Sequence, residues 1–237
     1  MSLTSRRAFL AGASASVAAG LAGCGEVPVV PGPEPRYGPG ADQPFSGGGY
    51  EGQFAGAYGP VPGERFPIPA APLSRINPAY LRTRVAYSRG EAPGTIVIEP
   101  KARYLYHVQE GGRAMRYGVG VGREGFAWSG VATINDKQEW PDWYPPKEMI
   151  ARQRDLRSQL SELRSGLGVP GGTRNPLGAR AMYLWQNGKD TLYRIHGTLE
   201  PWTIGQNVSS GCIRMINQDV IDLYARTPVG TKVVVLG

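Results

Sequence analysis

The chain has 237 residues, with 34 glycines, 21 prolines and a formal net charge of +7. Hydrophobic residues make up 41% and charged residues 19%, a balance that suits a soluble globular protein with many turns and an unstructured tract. The basic residues are scattered and never form runs interleaved with aromatics, which argues against nucleic acid as a partner and leaves a mild bias toward anionic ligands.

Residues 1–24, "MSLTSRRAFLAGASASVAAGLAGC", join a short basic start to an apolar Ala/Gly/Leu/Val run and small residues before a cysteine. That is the pattern of an export signal, too short and too rich in Ala and Gly for a stable membrane span. "SRRAFL" carries the paired arginines of a twin-arginine signal. "LAGC" is similar to a bacterial lipobox, in which Cys24 becomes the lipidated first residue; ordinary secretion with cleavage nearby is the alternative. Lipidation of Cys24 leaves Cys212 as the one thiol of the mature chain, so an internal disulfide is excluded. His107, His196 and Cys212 lack the paired spacing of metal ligands, so neither a metal nor another cofactor is expected. A structural thiol and a nucleophile remain.

From Gly25 to Pro72, 22 of 48 residues are Gly or Pro. Such a stretch buries too little apolar surface to offset its ordering entropy and is read as a flexible tether over 25–72. The folded domain is placed at 73–237. "GTIVIEP" (94–100) predicts a strand, and "ARYLYHVQEGGRAMRYGVGVG" predicts a hairpin about Gly111-Gly112. "GVATI" (130–134) suggests another strand. "KEMIARQRDLRSQLSELRS" (147–165), after Pro145-Pro146, is the longest helical candidate. "AMYLW" and "TLYRIHG" form a second hairpin about "QNGKD". "NQDVIDLYAR" (217–226) reads as a short helix with Asn217 as N-cap, and "KVVVLG" closes the chain as a strand. The fold class is mainly β, an antiparallel domain with short helical insertions.

"GVGREG" (120–125) matches G-x-G-x-x-G but precedes the strand-like "FAWSGVATI", so the dinucleotide-binding context is absent. No S-x-x-K motif and no G-x-S-x-G elbow appears.

A thiol attacks carbonyls as thiolate, and at neutral pH it needs a base or a positive neighbour. Histidine is the natural partner, and there are two. His107 lies within the first hairpin. His196 ends "TLYRIHG", a strand end followed by glycine, sixteen positions before Cys212. Strand ends are where a rigid scaffold holds accessible catalytic groups. Ser209, Ser210 and Gly211 are small, which leaves the backbone N–H groups of Gly211 and Cys212 able to face a developing oxyanion. Taken alone, an arbitrary Cys and His would be a buried hydrophobe and a satisfied core histidine. Trp140, Trp143 and Tyr144 read equally as a groove lining or as loop packing. Trp202, in the loop between His196 and Cys212, reads as a pocket wall.

"HGTLEPWTIGQNVSSGCIRM" (196–215) strongly resembles the signature of the L,D-transpeptidase catalytic (YkuD) family, in which a histidine precedes a [ST]-H-G-C-[IV]-R-type segment by about sixteen residues. The similarity extends over 93–237, through "YGVGVGREGFAWSG", "DWYPPKEMIARQ" and "NPLGARAMYLW". The resemblance implies an antiparallel β-sandwich-like fold and a cysteine nucleophile acting on peptidoglycan stem peptides. It implies Cys212 as nucleophile, His196 as base, the Gly197 carbonyl as the group that orients the imidazole, and the Gly211 and Cys212 amides as oxyanion hole. Arg214, Trp202 and Ser210 are the implied substrate-side residues. Ser210 stands where the family usually has a second histidine, which leaves details of the pocket open. The acceptor is also open: a second stem peptide, an outer-membrane protein, or water in a carboxypeptidase or hydrolase. A non-catalytic peptidoglycan-binding tether is the reading from another class. The expected location is the periplasm of a Gram-negative cell, with the chain on the membrane through its lipid anchor. Gly25 after Cys24 favours the outer membrane.

Overall fold

A computed structural model describes residues 56–122, 128–152, 154–209 and 211–237, all within one unit of the chain, Pro35–Gly237. The strands in chain order are β1 (Thr83–Ala86), β2 (Ile96–Glu99), β3 (Tyr104–Gln109), β4 (Arg113–Gly118), β5 (Val121–Gly122), β6 (Gly130–Glu139), β7 (Ser161–Leu163), β8 (Gly166–Gly168), β9 (Arg180–Gln186), β10 (Lys189–His196), β11 (Asn207–Ser209), β12 (Ile213–Arg214) and β13 (Lys232–Val235). Helices α1 (Lys147–Arg152), α2 (Arg154–Arg157) and α3 (Asn217–Arg226) lie between them.

Nine strands form one sheet in the order β1-β4-β3-β2-β13-β6-β9-β10-β12. Three hairpins supply its local pairs: β2–β3 through the short stretch 100–103, β3–β4 and β9–β10. Gly111 (φ +72) and Gly112 (φ +65) turn β3 into β4, and Asn187 (φ +51) with Gly188 (φ +73) turns β9 into β10. Asn-Gly with both residues left-handed is the two-residue turn that matches the strand twist. The rest of the sheet is non-local: β13 lies parallel to β2 and β12 parallel to β10, so the mainly β fold is mixed, not purely antiparallel. Beyond β4 the chain continues to Gly120, whose backbone exchanges two hydrogen bonds of 2.9 Å with Arg214. The far end of β4 is thereby tied to β12, at the opposite edge of the sheet.

The main core gathers Ile96, Ile98, Leu105, Tyr117, Ile134, Leu184, Ile195 and Ile213, with Val220 and Leu223 of α3 packed on it. Alternation explains the second layer. Val97, between Ile96 and Ile98, points to the other face and joins Tyr87, Tyr106 and Val108. Full burial of each such side chain stabilises by about 1.5–3 kcal/mol. Truncating Leu223 to alanine would cost about 2–5 kcal/mol.

Three expectations need correction. The tether boundary at residue 72 falls inside folded structure. Tyr58 is 1% exposed, accepts from the Arg82 N–H at 2.6 Å and donates to Asp219 Oδ2 at 3.1 Å. Glu64 meets Arg180 at 2.7 Å and accepts from Trp140 Nε1 at 2.9 Å. Gln218 donates to the Gly59 and Pro69 carbonyls at 3.0 Å each. A Gly/Pro-rich segment folds here because polar side chains of the domain take up its backbone groups, a partner set that composition does not reveal. The rest of 25–72 and the signal lie outside the described residues.

The helix expected over 147–165 ends early: α1 and α2 reach only Arg157, and β7 and β8 follow as a hairpin. Among the described side chains of α1 and α2 Leu156 alone is buried, too little apolar surface to hold a long helix. Backbone docking wins: Trp143 and Val169 pair through hydrogen bonds of 2.9 and 2.8 Å, and a Cβ on Gly168 would sit only 2.8 Å from the Trp143 carbonyl. Helix 217–226 forms as expected, but Asn217 is not its cap. Ile216 is the N-cap, with no side-chain cap bond.

Candidate active site

Parallel pairing of β10 with β12 sets Ile195 opposite Ile213 and His196 opposite Arg214. Cys212, one residue before β12, thereby reaches the His196 end of β10. Both side chains line a cleft of about 550 Å³ with Arg194 and Arg214. Trp143, Tyr144 and Met149 border the same cleft, as do Leu192 and Tyr183.

His196 is 4% exposed. Its Nδ1 lies 2.6 Å from the Gly197 carbonyl, which only accepts, so the hydrogen sits on Nδ1 and Nε2 keeps the lone pair. Burial pulls the imidazole down to about 4, helped by the Arg214 and Arg194 charges and opposed by backbone hydrogen bonds at Gly197 and Leu177. The ring is therefore neutral at physiological pH. Burial pushes the Cys212 thiol up, while an Arg194 backbone hydrogen bond and the charges of Arg194 and Arg214 pull it down. The resting pair is thiol and neutral imidazole, not a preformed thiolate–imidazolium pair.

The glycines here are required by shape. Gly211 has φ +129, and a Cβ there would sit 3.1 Å from the Tyr193 ring. A Cβ on Gly197 would collide with Asn217 Oδ1. Asn217 fills that space for a reason the sequence did not reveal. Its Oδ1 accepts from the Ala179 N–H at 3.0 Å and its Nδ2 donates to the Thr198 carbonyl at 3.1 Å, which locks the loop that carries His196 and Gly197.

Arg214 lines the cleft and meets Glu200 at 3.4 Å, with the glutamate side chain 55% exposed. A pair this open holds the arginine weakly and leaves its charge available to a ligand. Trp202 is placed elsewhere. It lines a neighbouring groove of about 580 Å³, with the Arg75 guanidinium 3.9 Å above its ring. Trp143 and Tyr144 border the cleft, but Trp140 is buried and walls that second groove. His107 is buried in β3, away from the cleft. Ser210 and Cys24 lie outside the described residues. Among the described residues, no group of three or more His, Cys, Asp or Glu gathers to hold a metal. Leu192 and Arg194 also line the cleft and went unread; nothing local marks Leu192, whereas the position of Arg194, two before His196 on an alternating strand, offered a hint.

With that geometry in hand, the similarities to known proteins are specific. Residues 93–235 match the model of the L,D-transpeptidase catalytic domain (YkuD). The probable L,D-transpeptidase ErfK/SrfK of Escherichia coli K12 is 32% identical over 60% of this chain and 44% of its own length. The probable L,D-transpeptidase YcfS of the same strain is 34% identical over 58% of this chain and 42% of its own. The chain thus spans less than half the length of these relatives. A crystal structure named as a probable carnitine operon oxidoreductase from Brucella melitensis is 50% identical, covering 68% of this chain and 96% of that one, with a TM-score of 0.44. The matched region contains both β10 and β12, the two strands that bring His196 and Cys212 to one cleft, and on that match the chain belongs to the L,D-transpeptidase catalytic domain family.

Proposed function

We propose that this protein is a peptidoglycan L,D-transpeptidase with Cys212 as nucleophile and His196 as base. The observation that carries the reading is the placement of a thiol and a tautomer-fixed, neutral histidine in one cleft bordered by two arginines. As Cys212 Sγ attacks the carbonyl between the L-centre of a diamino acid and the following D-alanine, its proton passes to His196 Nε2. The Gly211 and Cys212 amides receive the oxyanion. On collapse the C–N bond breaks, the imidazolium protonates the leaving D-alanine amine, and a thioester remains. An amine acceptor then loses a proton to His196 and displaces the sulfur. Arg214 holds a substrate carboxylate. A neutral base beside a raised thiol supports proton transfer concerted with attack over attack by a standing thiolate. The buried imidazole and the half-buried thiol are what favour this order.

The acceptor is a second stem peptide, giving a 3→3 cross-link, or an outer-membrane protein. Incubation of the full chain with disaccharide-tetrapeptides, followed by mass spectrometry, tests the proposal. Cross-linked dimers support transfer; tripeptides alone would replace it with hydrolysis; no turnover would favour a binding module. The anchor is proposed in the same way, with Cys24 lipidated on the periplasmic side and the protein sorted to the outer membrane. Membrane fractionation of Cys24→Ala should show release or mislocalisation, and a wild-type N-terminus beyond residue 24 would refute the anchor.

A further inference from the structure

Strand β10 is irregular. Its register against β9 shifts between Asp190 and Arg194, and Leu192 inside that bulge has φ +65. A left-handed backbone is strained at leucine. The Leu192 side chain is 75% exposed, so packing does not offset the cost. A polar clamp does. Asp190 Oδ1 accepts from the Leu192 N–H at 2.9 Å, and the two carboxylate oxygens each accept from an Arg194 Nη at 2.7 Å. The same guanidinium donates to the Tyr193 carbonyl at 3.0 Å and lies 4.3 Å over the Tyr183 ring. The bulge faces the thiol: Cys212 Sγ lies 4.0 Å from the Leu192 carbonyl oxygen, within reach of a weak S–H donor.

We propose that the bulged backbone from Asp190 to Arg194, locked by the ion pair between those two residues, is a positioning device for Cys212. It presents the Leu192 carbonyl to the resting S–H, and the Arg194 backbone and guanidinium to the sulfur once its proton has left. Bulges beside active sites commonly re-aim groups in this way. The inference rests on Cys212 being the nucleophile and adds Asp190, Leu192 and Arg194 as positioning residues. The other charged or titratable groups of the cleft are His196, Arg214, Asp142, Tyr183 and Tyr144, and of these only Tyr183 touches the clamp.

The sign of one substitution separates positioning from plain electrostatics. The Asp190 charge by itself disfavours the thiolate, whereas the Arg194 hydrogen bond and charge favour it. Removing only the charge makes Cys212 easier to ionise; releasing the bulge makes it harder. The experiment is the pH dependence of Cys212 alkylation by iodoacetamide in the full chain, read by peptide mapping so that Cys24 does not interfere. Asp190→Asn should slow alkylation at neutral pH by about fivefold to tenfold and move the profile up by about one pH unit. Adding Leu192→Gly, which takes positive φ without strain, should restore most of the rate. Leu192→Val, β-branched and disfavoured at positive φ, should reproduce the loss with Asp190 in place. Faster alkylation in Asp190→Asn, or no recovery with Leu192→Gly, would overturn the device. Should Asp190→Asn fail to fold, Leu192→Val alters an exposed side chain and carries the test alone, and an unchanged profile there refutes the proposal. Alkylation reads the thiol and not peptide transfer. Absence of transpeptidation alongside these shifts would therefore count against the proposed reaction and not against the device.

Discussion

His107 and His196 are the two histidines of the chain. Both are buried, and burial pulls both below the ordinary imidazole value. They part company in what their ring nitrogens meet. His107 stands mid-strand in β3, opposite Ile96 and Met115, with Asp222 and Arg226 as the charges that bear on it. Its Nδ1 has no hydrogen-bond partner among the described residues. His196 ends its strand, has Nδ1 tied to a carbonyl, and shares a cleft with a thiol. A depressed imidazole is thus a mark of burial alone. A fixed tautomer beside a nucleophile is what chemistry requires.

Substitutions at the two sites sharpen that contrast. Cys212→Ala should abolish turnover and any covalent adduct with a carbapenem, read by intact-protein mass spectrometry. His196→Gln should slow acylation by roughly 10²–10⁴-fold, the usual worth of a general base. His107→Gln should leave acylation unchanged, and wild-type acylation in His196→Gln with the fold intact would erase the distinction. Arg214→Ala comes next. Loss of a charge-assisted hydrogen bond costs about 1.5–3 kcal/mol, read as lowered kcat/KM with the melting temperature held; the reverse pattern would make Arg214 structural.

Asn217→Ala tests the scaffold behind His196. It strands the Ala179 N–H and the Thr198 carbonyl, so stability should fall by about 1–3 kcal/mol in urea unfolding. Acylation should slow as the Gly197 loop loosens.

The pH dependence of stability tests the burial of these groups directly. His196 has a folded value of about 4 against an ordinary 6.5, so the unfolded chain binds more protons between them. Its contribution is complete above about pH 6.5 and is lost as pH falls toward 4. Buried Asp219 is the counterpart among acids, raised by burial from 3.8 to about 7. Its protonated form is favoured on folding, so its contribution is complete below 3.8 and is lost as pH rises toward 7. Urea midpoints should show a flatter acid limb in His196→Gln and a flatter decline toward neutrality in Asp219→Asn. Identical pH curves for wild type and both variants would contradict these assignments.

Much of the fold was legible. The Gly111-Gly112 and Asn187-Gly188 turns each carry their own backbone requirement, and alternation between them marks β3, β4, β9 and β10. The helix expected over 147–165 stops at Arg157, and β7 and β8 form a hairpin beside Trp143, a partner that adjacency in the helical stretch does not reveal. Trp202 was placed at the cleft because it lies between His196 and Cys212 in the chain, yet it stacks under Arg75 in the next groove.

The sequence by itself determined the local conditions for chemistry: a histidine followed by glycine, a cysteine preceded by glycine, and turn residues where the chain must reverse. These depend on residues within a few positions of one another, so spacing reports them. Only the tertiary structure decided that β12 lies parallel to β10, that Asn217 braces Gly197, and that the register of β10 shifts between the ion-paired Asp190 and Arg194. Parallel pairing has no hairpin to announce it, and the field at Cys212 and His196 is summed over arginines whose positions follow from the sheet order and not from neighbours along the chain.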